Sequence, residues 1–251
     1  MKLDTLVQYL DDYLRIRAEL ADAHEALNGL QVANAGEVTR LAAAVDVCEA
    51  TVRMAAEQRV DFMVVHHGLF WGGLRPLVGP AYARVAGLIQ ANIALYSAHL
   101  PLDRHPDVGN NIVLARLLGV MIRGDFGMYH GAPIGVWGER GGTRDDLSRA
   151  LAAALGTAPR VLPFGPERIG RVGIVTGAGA SLIPQAAAAG LDTFVTGEGP
   201  HKTFFDAEEL KINVIFGGHY ATETVGVKAL AEHLAAKFKL PWSFLDHPTG
   251  L

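Results

Sequence analysis

The chain has 251 residues and a mass of 26.7 kDa, and 50% of its residues are hydrophobic while 19% are charged, which excludes wholesale disorder. Its 22 Lys and Arg against 26 Asp and Glu give a formal net charge of −4, and no basic cluster is present, which disfavours a dedicated duplex-DNA binder. No run of about 18 uninterrupted apolar residues occurs, so we expect no membrane span and no membrane partner.

The cysteine content and the first residues bear on the compartment. Cys48 is the single cysteine, so an internal disulfide is impossible and a reducing environment suits the chain. The opening residues include Lys2 and Asp4 and run into an amphipathic pattern without the apolar core of a secretory signal. We therefore expect a cytoplasmic protein.

The first half of the chain alternates between helical and strand-like patterns. Apolar residues at helical spacing predict a helix over Leu3 to Ala18, and a short strand-like run begins at Leu30. The strand–helix–strand order that follows is typical of a βαβ unit in a parallel sheet. The further predicted elements are a strand Leu41–Val47, a helix Glu49–Arg59, a strand Phe62–Val65, a helix Ala81–Asn92, a strand Ile93–Ser97, a loop His99–Asp103 and a helix from about Asp107 to Leu118.

The segment from Gly124 to Arg171 is rich in glycine and proline, and one helix is predicted in it, Asp145–Leu155. Its roughly 45 residues are too few for an additional inserted domain, since most domains exceed about 50 residues.

The second half repeats the plan of the first. When Asp61 is aligned with Asp192, residues 62–68 overlie residues 193–199, with an apolar run followed by polar residues and glycine in both. We therefore predict an α/β fold of two related lobes with mixed, largely parallel sheets, residues 1–125 with 219–251 and residues 126–218. The predicted elements are a strand Val172–Thr176, a tight turn Gly177–Ser181 opening a helix, a strand Leu191–Val195, a strand Ile212–Phe216, a helix from about Thr222 to Lys237 and an edge strand Trp242–Leu245.

Candidate metal ligands follow the ends of four predicted strands. In an open α/β sheet this edge is where ligands collect, and a divalent cation offsets the cost of desolvating acids there. The pattern predicts a metal site between the lobes, at the carboxyl ends of the strands. The residues are His66 and His67, His99 with Asp103, Glu198, and His219 with Glu223.

The number of ligands favours two ions. His219 and Glu223 are four residues apart at the start of a helix and share one face. The neighbouring His66 and His67 point in different directions, which suits one ion each. With Asp103, these three histidines and two acids exceed what one tetrahedral ion needs. Mixed imidazole and carboxylate ligands suit zinc, iron, manganese, cobalt or nickel.

Ordinary structural interpretations exist for each of these residues. A His pair at a strand end is often the polar start of a loop, and His-x-x-x-Glu is common on solvated helix faces. Asp103 also suits a cap or turn, and Glu198 suits a turn between glycines. Phe70 and Trp71 either shield the site, pack a subunit contact or belong to the core. The glycines of the turn Gly177–Ser181 fit no phosphate-binding motif and indicate a structural turn. The joint occurrence after successive strands is what favours metal binding.

Six segments spread along the chain carry a family resemblance: Asn28–Val32, Val64–Trp71, Tyr96–Asp103, Asn110–Asn111, Thr196–Glu198 and Gly218–Glu223. Through them the whole chain resembles the dinuclear-metal-centre proteins of the NGG-interacting-factor family, also called GTP cyclohydrolase I type 2. The chain looks like the short bacterial form, without an additional central domain. It departs from commoner members at Pro101 and in the Gly-Pro-His-Lys that follows Glu198, which bears on the substrate more than on the metals.

The resemblance implies a two-lobed subunit in a ring-shaped homo-hexamer, with pairs of divalent metal ions facing an inner cavity. It implies that Glu223 bridges the two ions. His99 matches the position beside the site, either as a residue that supports the ligands or as a proton donor, and Glu198 matches a place in the family motif. Either residue could transfer protons. The implied metal ligands are His66, His67, Asp103, His219 and Glu223.

Two functions from different classes follow. The leading hypothesis is a metal-dependent hydrolase of a small, nucleotide-like or phosphorylated substrate, and the family name implies GTP ring opening. The alternative is a non-catalytic metal-binding or scaffold ring, such as a metal carrier or regulatory partner. Nucleic-acid binding is disfavoured by the acidic balance of the chain.

Overall fold

Parallel strands connected by helices form the framework of both halves of the chain. The computed structural model describes residues 1–17, 22 and 25–251. Contacts divide the chain into two units. Unit 1 comprises Met1–Val108 and Gly226–His247, and unit 2 comprises Gly109–Val225 and Pro248–Leu251.

Unit 1 is built on one mixed sheet. Its strands are β1 (Gly29–Val32), β2 (Leu41–Asp46), β3 (Phe62–His67), β4 (Ala94–Ser97) and β11 (Trp242–Phe244). The sheet order is β1-β4-β3-β2-β11, with β1 antiparallel to β4 and all other pairs parallel. Its helices are α1 (Leu3–Tyr13), α2 (Glu49–Glu57), α3 (Gly79–Gln90), the single turn α4 (Leu100–Asp103) and the later part of α9 (His219–Phe238).

The core of unit 1 explains the continuous apolar runs of its central strands. Met63 and Leu95 of the sheet lie in one buried cluster with Val52 of α2 and Leu88 of α3. Strands covered on both faces must be apolar at nearly every position, and each fully buried side chain of this size contributes about 1.5–3 kcal/mol.

Unit 2 carries a larger mixed sheet. Its strands are β5 (Met121–Tyr129), β6 (Ala132–Glu139), β7 (Arg160–Pro163), β8 (Arg171–Val175), β9 (Thr193–Thr196) and β10 (Asn213–Phe216). The order is β5-β6-β8-β9-β10-β7, in which β8, β9 and β10 run parallel and the other pairs are antiparallel. Its helices are α5 (Asn110–Leu117), α6 (Arg144–Leu155), α7 (Ile183–Ala188), α8 (Thr203–Glu209) and the first part of α9, and a 3₁₀ turn, Gly179–Leu182, precedes α7.

Helices cover both faces of the parallel strands of unit 2. The neighbouring residues Phe194 and Val195 of β9 belong to different buried clusters, as the alternation of side chains along a strand requires. Val195 packs in the cluster that contains Leu147 of α6, and Phe194 packs in the cluster that contains Ile183 of α7. The carboxyl ends of the strands therefore remain the open edge.

The predicted α/β class with two mixed sheets is confirmed, as are the parallel βαβ unit and the edge strand at Trp242. The first helix ends at Tyr13, and Ala18 lies outside the described residues. The predicted loop after β4 contains the helical turn α4. Sequence analysis did not predict β5, β6, β7 or α8.

The units divide the chain at other positions than the predicted lobes. Their borders fall after Val108 and Val225, whereas the lobes were divided after residues 125 and 218. Helix α5 lies in unit 2 because its Leu114 packs in one buried cluster with Val136 of β6 and Ile174 of β8.

In the described part of the chain, no helix combines the length and the apolar composition that crossing a bilayer requires.

Candidate metal centre

Three imidazoles gather at the open edge of the unit 1 sheet. His66 and His67 end β3, and His99 follows β4 by two residues. Because β3 and β4 are parallel neighbours, their carboxyl ends meet at the same edge. One ring nitrogen from each of the three side chains lies within 4.8 Å of the other two. This spacing would allow the three rings to contact a common cation.

Each of the three rings is oriented by an oxygen acceptor at Nδ1. His66 Nδ1 lies 3.0 Å from the carbonyl oxygen of Ala98, and His67 Nδ1 lies 2.8 Å from Asp46 Oδ1. His99 Nδ1 lies 2.6 Å from Asp22 Oδ1. A carbonyl or carboxylate oxygen can only accept, so Nδ1 carries the proton and Nε2 carries the lone pair that a metal needs.

Asp22 is itself held in place. Its Oδ2 accepts hydrogen bonds from Asn28 Nδ2 at 2.7 Å and from the Leu100 N–H at 3.2 Å. Asn28 Oδ1 in turn accepts the backbone N–H of His99 at 2.7 Å. Asp22 and Asn28 thus fix both the ring and the backbone of His99.

Asp103 joins this group through the turn α4. Its backbone N–H donates to the carbonyl oxygen of His99, and its Oδ2 lies 3.6 Å from His66 Nε2. The side chain is 9% exposed and His66 is fully buried. A buried carboxylate beside a buried imidazole is a suitable hard ligand for a divalent cation.

The loop after β3 covers the imidazoles. A Cβ on Gly68 would lie 2.4 Å from Gln31 Nε2, so only glycine lets Gln31 accept the Leu69 N–H at 2.7 Å. The Trp71 ring centroid lies 5.1 Å from that of His99 and 5.8 Å from that of His67. Of the three interpretations of Trp71, this contact supports shielding of the site.

Unit 2 carries a different group at the corresponding edge. Glu198 follows β9, and His219 and Glu223 begin α9. His219 Nδ1 donates to Glu198 Oε1 at 2.8 Å, and its Nε2 lies 3.2 Å from Glu223 Oε2. The hydrogen bond with Glu223, supported by Glu198 and opposed by burial, raises the pKa of His219 to about 9. A cation bound here would replace that proton.

Gly177 positions both acids of unit 2. Its φ is +65°, and a Cβ at this residue would lie 2.1 Å from Glu223 Oε1. Its carbonyl oxygen accepts the backbone N–H groups of Gly197 and Glu198, and its own N–H donates to Thr222 Oγ1. The glycine turn after β8 therefore makes the room that Glu223 occupies and fixes the start of the Glu198 loop.

The structure brings the predicted site residues into one group in each unit. Unit 1 assembles His66, His67, His99 and Asp103, and unit 2 assembles Glu198, His219 and Glu223. Their assignment to ligand or catalytic roles stays a prediction. Sequence analysis did not assign roles to Asp22 and Asp46, whose partners lie 77 and 21 residues away in the chain.

Comparison with known sequences gives a match over nearly the whole chain. The model of the family described as Duf34/NIF3 (NGG1p interacting factor 3) matches residues 1–249. A Deinococcus radiodurans protein named GTP cyclohydrolase 1 type 2 homolog is 46% identical over 250 residues, 99% of this chain and 94% of that protein. A Halobacterium salinarum protein of the same name is 43% identical, and the match covers 100% of this chain and 100% of that protein.

Solved structures with the same fold are also found. The protein TTHA1606 from Thermus thermophilus superposes with a TM-score of 0.93 at 45% identity, covering all of both chains. Reduced HcgD from Methanocaldococcus jannaschii superposes with a TM-score of 0.86 at 26% identity, covering 98% of each chain.

Proposed function

Because the chain belongs to the Duf34/NIF3 family, we propose that it is a dinuclear metal-dependent hydrolase of a small nucleotide-like substrate. The observation that carries the proposal is the common orientation of His66 and His67, whose Nδ1 atoms both bond to oxygen acceptors. Carboxylate or carbonyl partners at the far nitrogen are the usual support of metal-binding imidazoles.

The donor set suits divalent transition metals. The residues that would hold the ions are His66, His67, Asp103, His219 and Glu223, as the family resemblance implies. Bound there, the ions would lower the pKa of water and supply a nucleophile near neutral pH.

Proton transfer is proposed for two further residues. Asp22 holds His99 in the tautomer whose Nε2 can accept a proton, as a general base requires. Glu198, 46% exposed at its side chain, accepts a hydrogen bond from His219 and can exchange a proton with solvent.

The substrate class comes from the names of the relatives. Several are called GTP cyclohydrolase 1 type 2 homolog, so GTP is the first compound to test. A homo-hexamer is proposed on the family resemblance alone.

The test measures metal content and turnover on the same preparations. Protein purified without added metal is analysed for zinc, iron, manganese, cobalt and nickel, and then assayed with GTP and a panel of nucleotides. We expect two ions per chain, and loss of ions and turnover in His66→Ala and His219→Ala. The control His130→Ala removes an exposed imidazole that packs on Tyr129.

Full metal content in both His66→Ala and His219→Ala would overturn the metal assignment. Full metal content without turnover of any nucleotide in the unmodified protein would favour the alternative, a non-catalytic metal-binding ring.

A further inference from the structure

A cavity of about 180 Å³ lies in unit 1 beside the imidazoles. The loop after β3 and the start of α3 form its walls. The walls are apolar and aromatic apart from two arginines. Phe70, Trp71, Leu77 and Val85 form the apolar side, and Arg75 and Arg84 are the cations.

Among the described residues, the two arginines have no acidic partner within ion-pair distance. In the described part of the chain, neither Arg75 nor Arg84 forms an ion pair. Arg84 Nη1 makes one long hydrogen bond, 3.5 Å to the carbonyl oxygen of Val47, and its Nε is buried with no acceptor among the described residues. A buried guanidinium N–H without an acceptor is costly, and an anionic ligand would supply one.

Trp71 is shared between this cavity and the imidazole group. It lines the cavity, and its ring also contacts those of His67 and His99. Its Nε1 donates to the Gly68 carbonyl oxygen at 2.8 Å, and the Leu27 N–H donates to the Phe70 carbonyl oxygen at 3.1 Å. The indole is therefore anchored, and a ligand in the cavity would lie one ring away from the imidazoles.

The size and lining of the cavity define the group that fits. Pockets for whole drug-sized ligands start at about 300 Å³, so this cavity suits one part of a ligand rather than a complete nucleotide. Arginine forks match phosphate oxygens, and indole faces accept planar rings.

We propose that this cavity is the subsite that binds the phosphate group of a phosphate ester, with Arg84 and Arg75 as the donors. The inference rests on the proposed function, because it assigns the anionic end of the substrate to a place next to the proposed metal centre. Trp71 then lies between the phosphate and the imidazoles and packs against the ring of the ligand.

Binding of GMP and of guanosine to the full-length protein tests the subsite, with isothermal titration calorimetry as the measurement. We expect GMP to bind at least about tenfold more tightly than guanosine. Arg84→Gln should weaken GMP binding about tenfold and leave guanosine binding unchanged. The GMP affinity of Arg84→Lys should lie between those of the unmodified protein and Arg84→Gln, since lysine keeps the charge but not the two parallel donors.

Two further variants provide a second test and a matched control. Arg75→Gln removes an exposed side chain, so it should fold normally and weaken GMP binding as well. The matched control Arg53→Gln removes an arginine of α2 that is 70% exposed and pairs with Glu57, and it should leave GMP binding unchanged. Equal affinity for GMP and guanosine, or unchanged GMP binding in both Arg84→Gln and Arg75→Gln, would overturn the subsite.

Metal content separates this inference from the proposed function. Arg84→Gln should keep the full complement of ions while losing GMP affinity. If the unmodified protein holds no ions but still prefers GMP through Arg84, the proposed hydrolase is wrong and the phosphate subsite stands.

Discussion

The two units share a strand plan and differ in the chemistry at its edge. In unit 1 the strands β2, β3 and β4 run parallel with antiparallel β1 outside β4, and in unit 2 the strands β8, β9 and β10 run parallel with antiparallel β7 outside β10. At the edge, unit 1 presents three imidazoles and one carboxylate, whereas unit 2 presents one imidazole and two carboxylates.

An aspartate in each unit makes the correspondence specific. Asp61 accepts the N–H groups of Thr39 and Arg40, and Asp192 accepts those of Gly170 and Arg171, at sequence separations of 22 and 21 residues in both cases. The backbone plan is therefore repeated in detail, while the residues after the strands have diverged. The arrangement of strands determines where ligand side chains can lie, and the chemistry of those side chains determines which ions they suit.

The largest expected effect comes from Gly177→Ala. The added Cβ meets Glu223 and φ is positive, so we expect the free energy of unfolding to fall by about 3 kcal/mol and the metal content to decrease. The matched control is Gly119→Ala, with φ +66° and nothing within 4 Å of its Cβ, which should cost only about 1 kcal/mol. Urea unfolding and metal analysis of both variants measure the difference. An equal loss of unfolding free energy in the two variants would contradict the role of Gly177 in making room for Glu223.

Removing an orienting acid should weaken metal binding in unit 1. Asp46→Ala leaves the fold intact, because the Asp46 side chain is 39% exposed, but it frees the His67 ring to rotate. We expect a loss of about 10- to 100-fold in metal affinity, measured by competition with a chelating dye. Asp125→Ala, an exposed acid of β5, is the control. Unchanged affinity in Asp46→Ala would contradict the role of Asp46 in orienting a metal-binding His67 ring.

Replacing the paired aspartates tests how closely the units correspond. Asp61→Ala and Asp192→Ala each remove the acceptor of two backbone N–H groups, and each should lower the free energy of unfolding by about 1–2 kcal/mol. Chemical denaturation of the two variants gives the comparison. A large loss of unfolding free energy in one variant and none in the other would show that the two aspartates are not equivalent.

The smallest effect concerns acid stability. His233 stacks on Tyr13 with ring centroids 4.3 Å apart, and burial together with Lys237 lowers the pKa of His233, against the opposing charge of Asp107. The unfolded state therefore takes up the proton first, so stability falls as pH drops through about 6.5 and levels off below the folded-state pKa.

His233→Phe keeps the stack and removes the titrating group, at the cost of the hydrogen bond from Tyr9. The urea midpoint of the variant should drop less between pH 7.5 and 5.5 than that of the unmodified protein. His105 stays in both proteins. Burial is the main reason that its pKa is lowered, and His233 lowers it further, so the variant also removes that smaller contribution. An equal drop would show that His233 is not the group responsible.

The parallel strands of both units could be predicted because buried strands are continuous apolar runs between glycine-rich turns. The hairpin β5–β6 could not, because β5 is largely exposed and its turn, His130-Gly131, lacks the usual Asn-Gly signal although both residues have positive φ. The candidate ligands could be predicted because they are polar residues that directly follow strands. The role of Asp22 could not be predicted, because only folding brings it to His99, 77 residues later in the chain.

The anchoring of His66, His67 and His99 has a consequence for metallation in the cell. The three rings are hydrogen-bonded at Nδ1 to acceptors in three separate parts of unit 1, so they are oriented without a cation. Binding a cation would therefore require little reorganisation. A set of nitrogen and oxygen donors binds first-row divalent ions in their general order of affinity, so the ion found in such a site also depends on which metals the cell makes available.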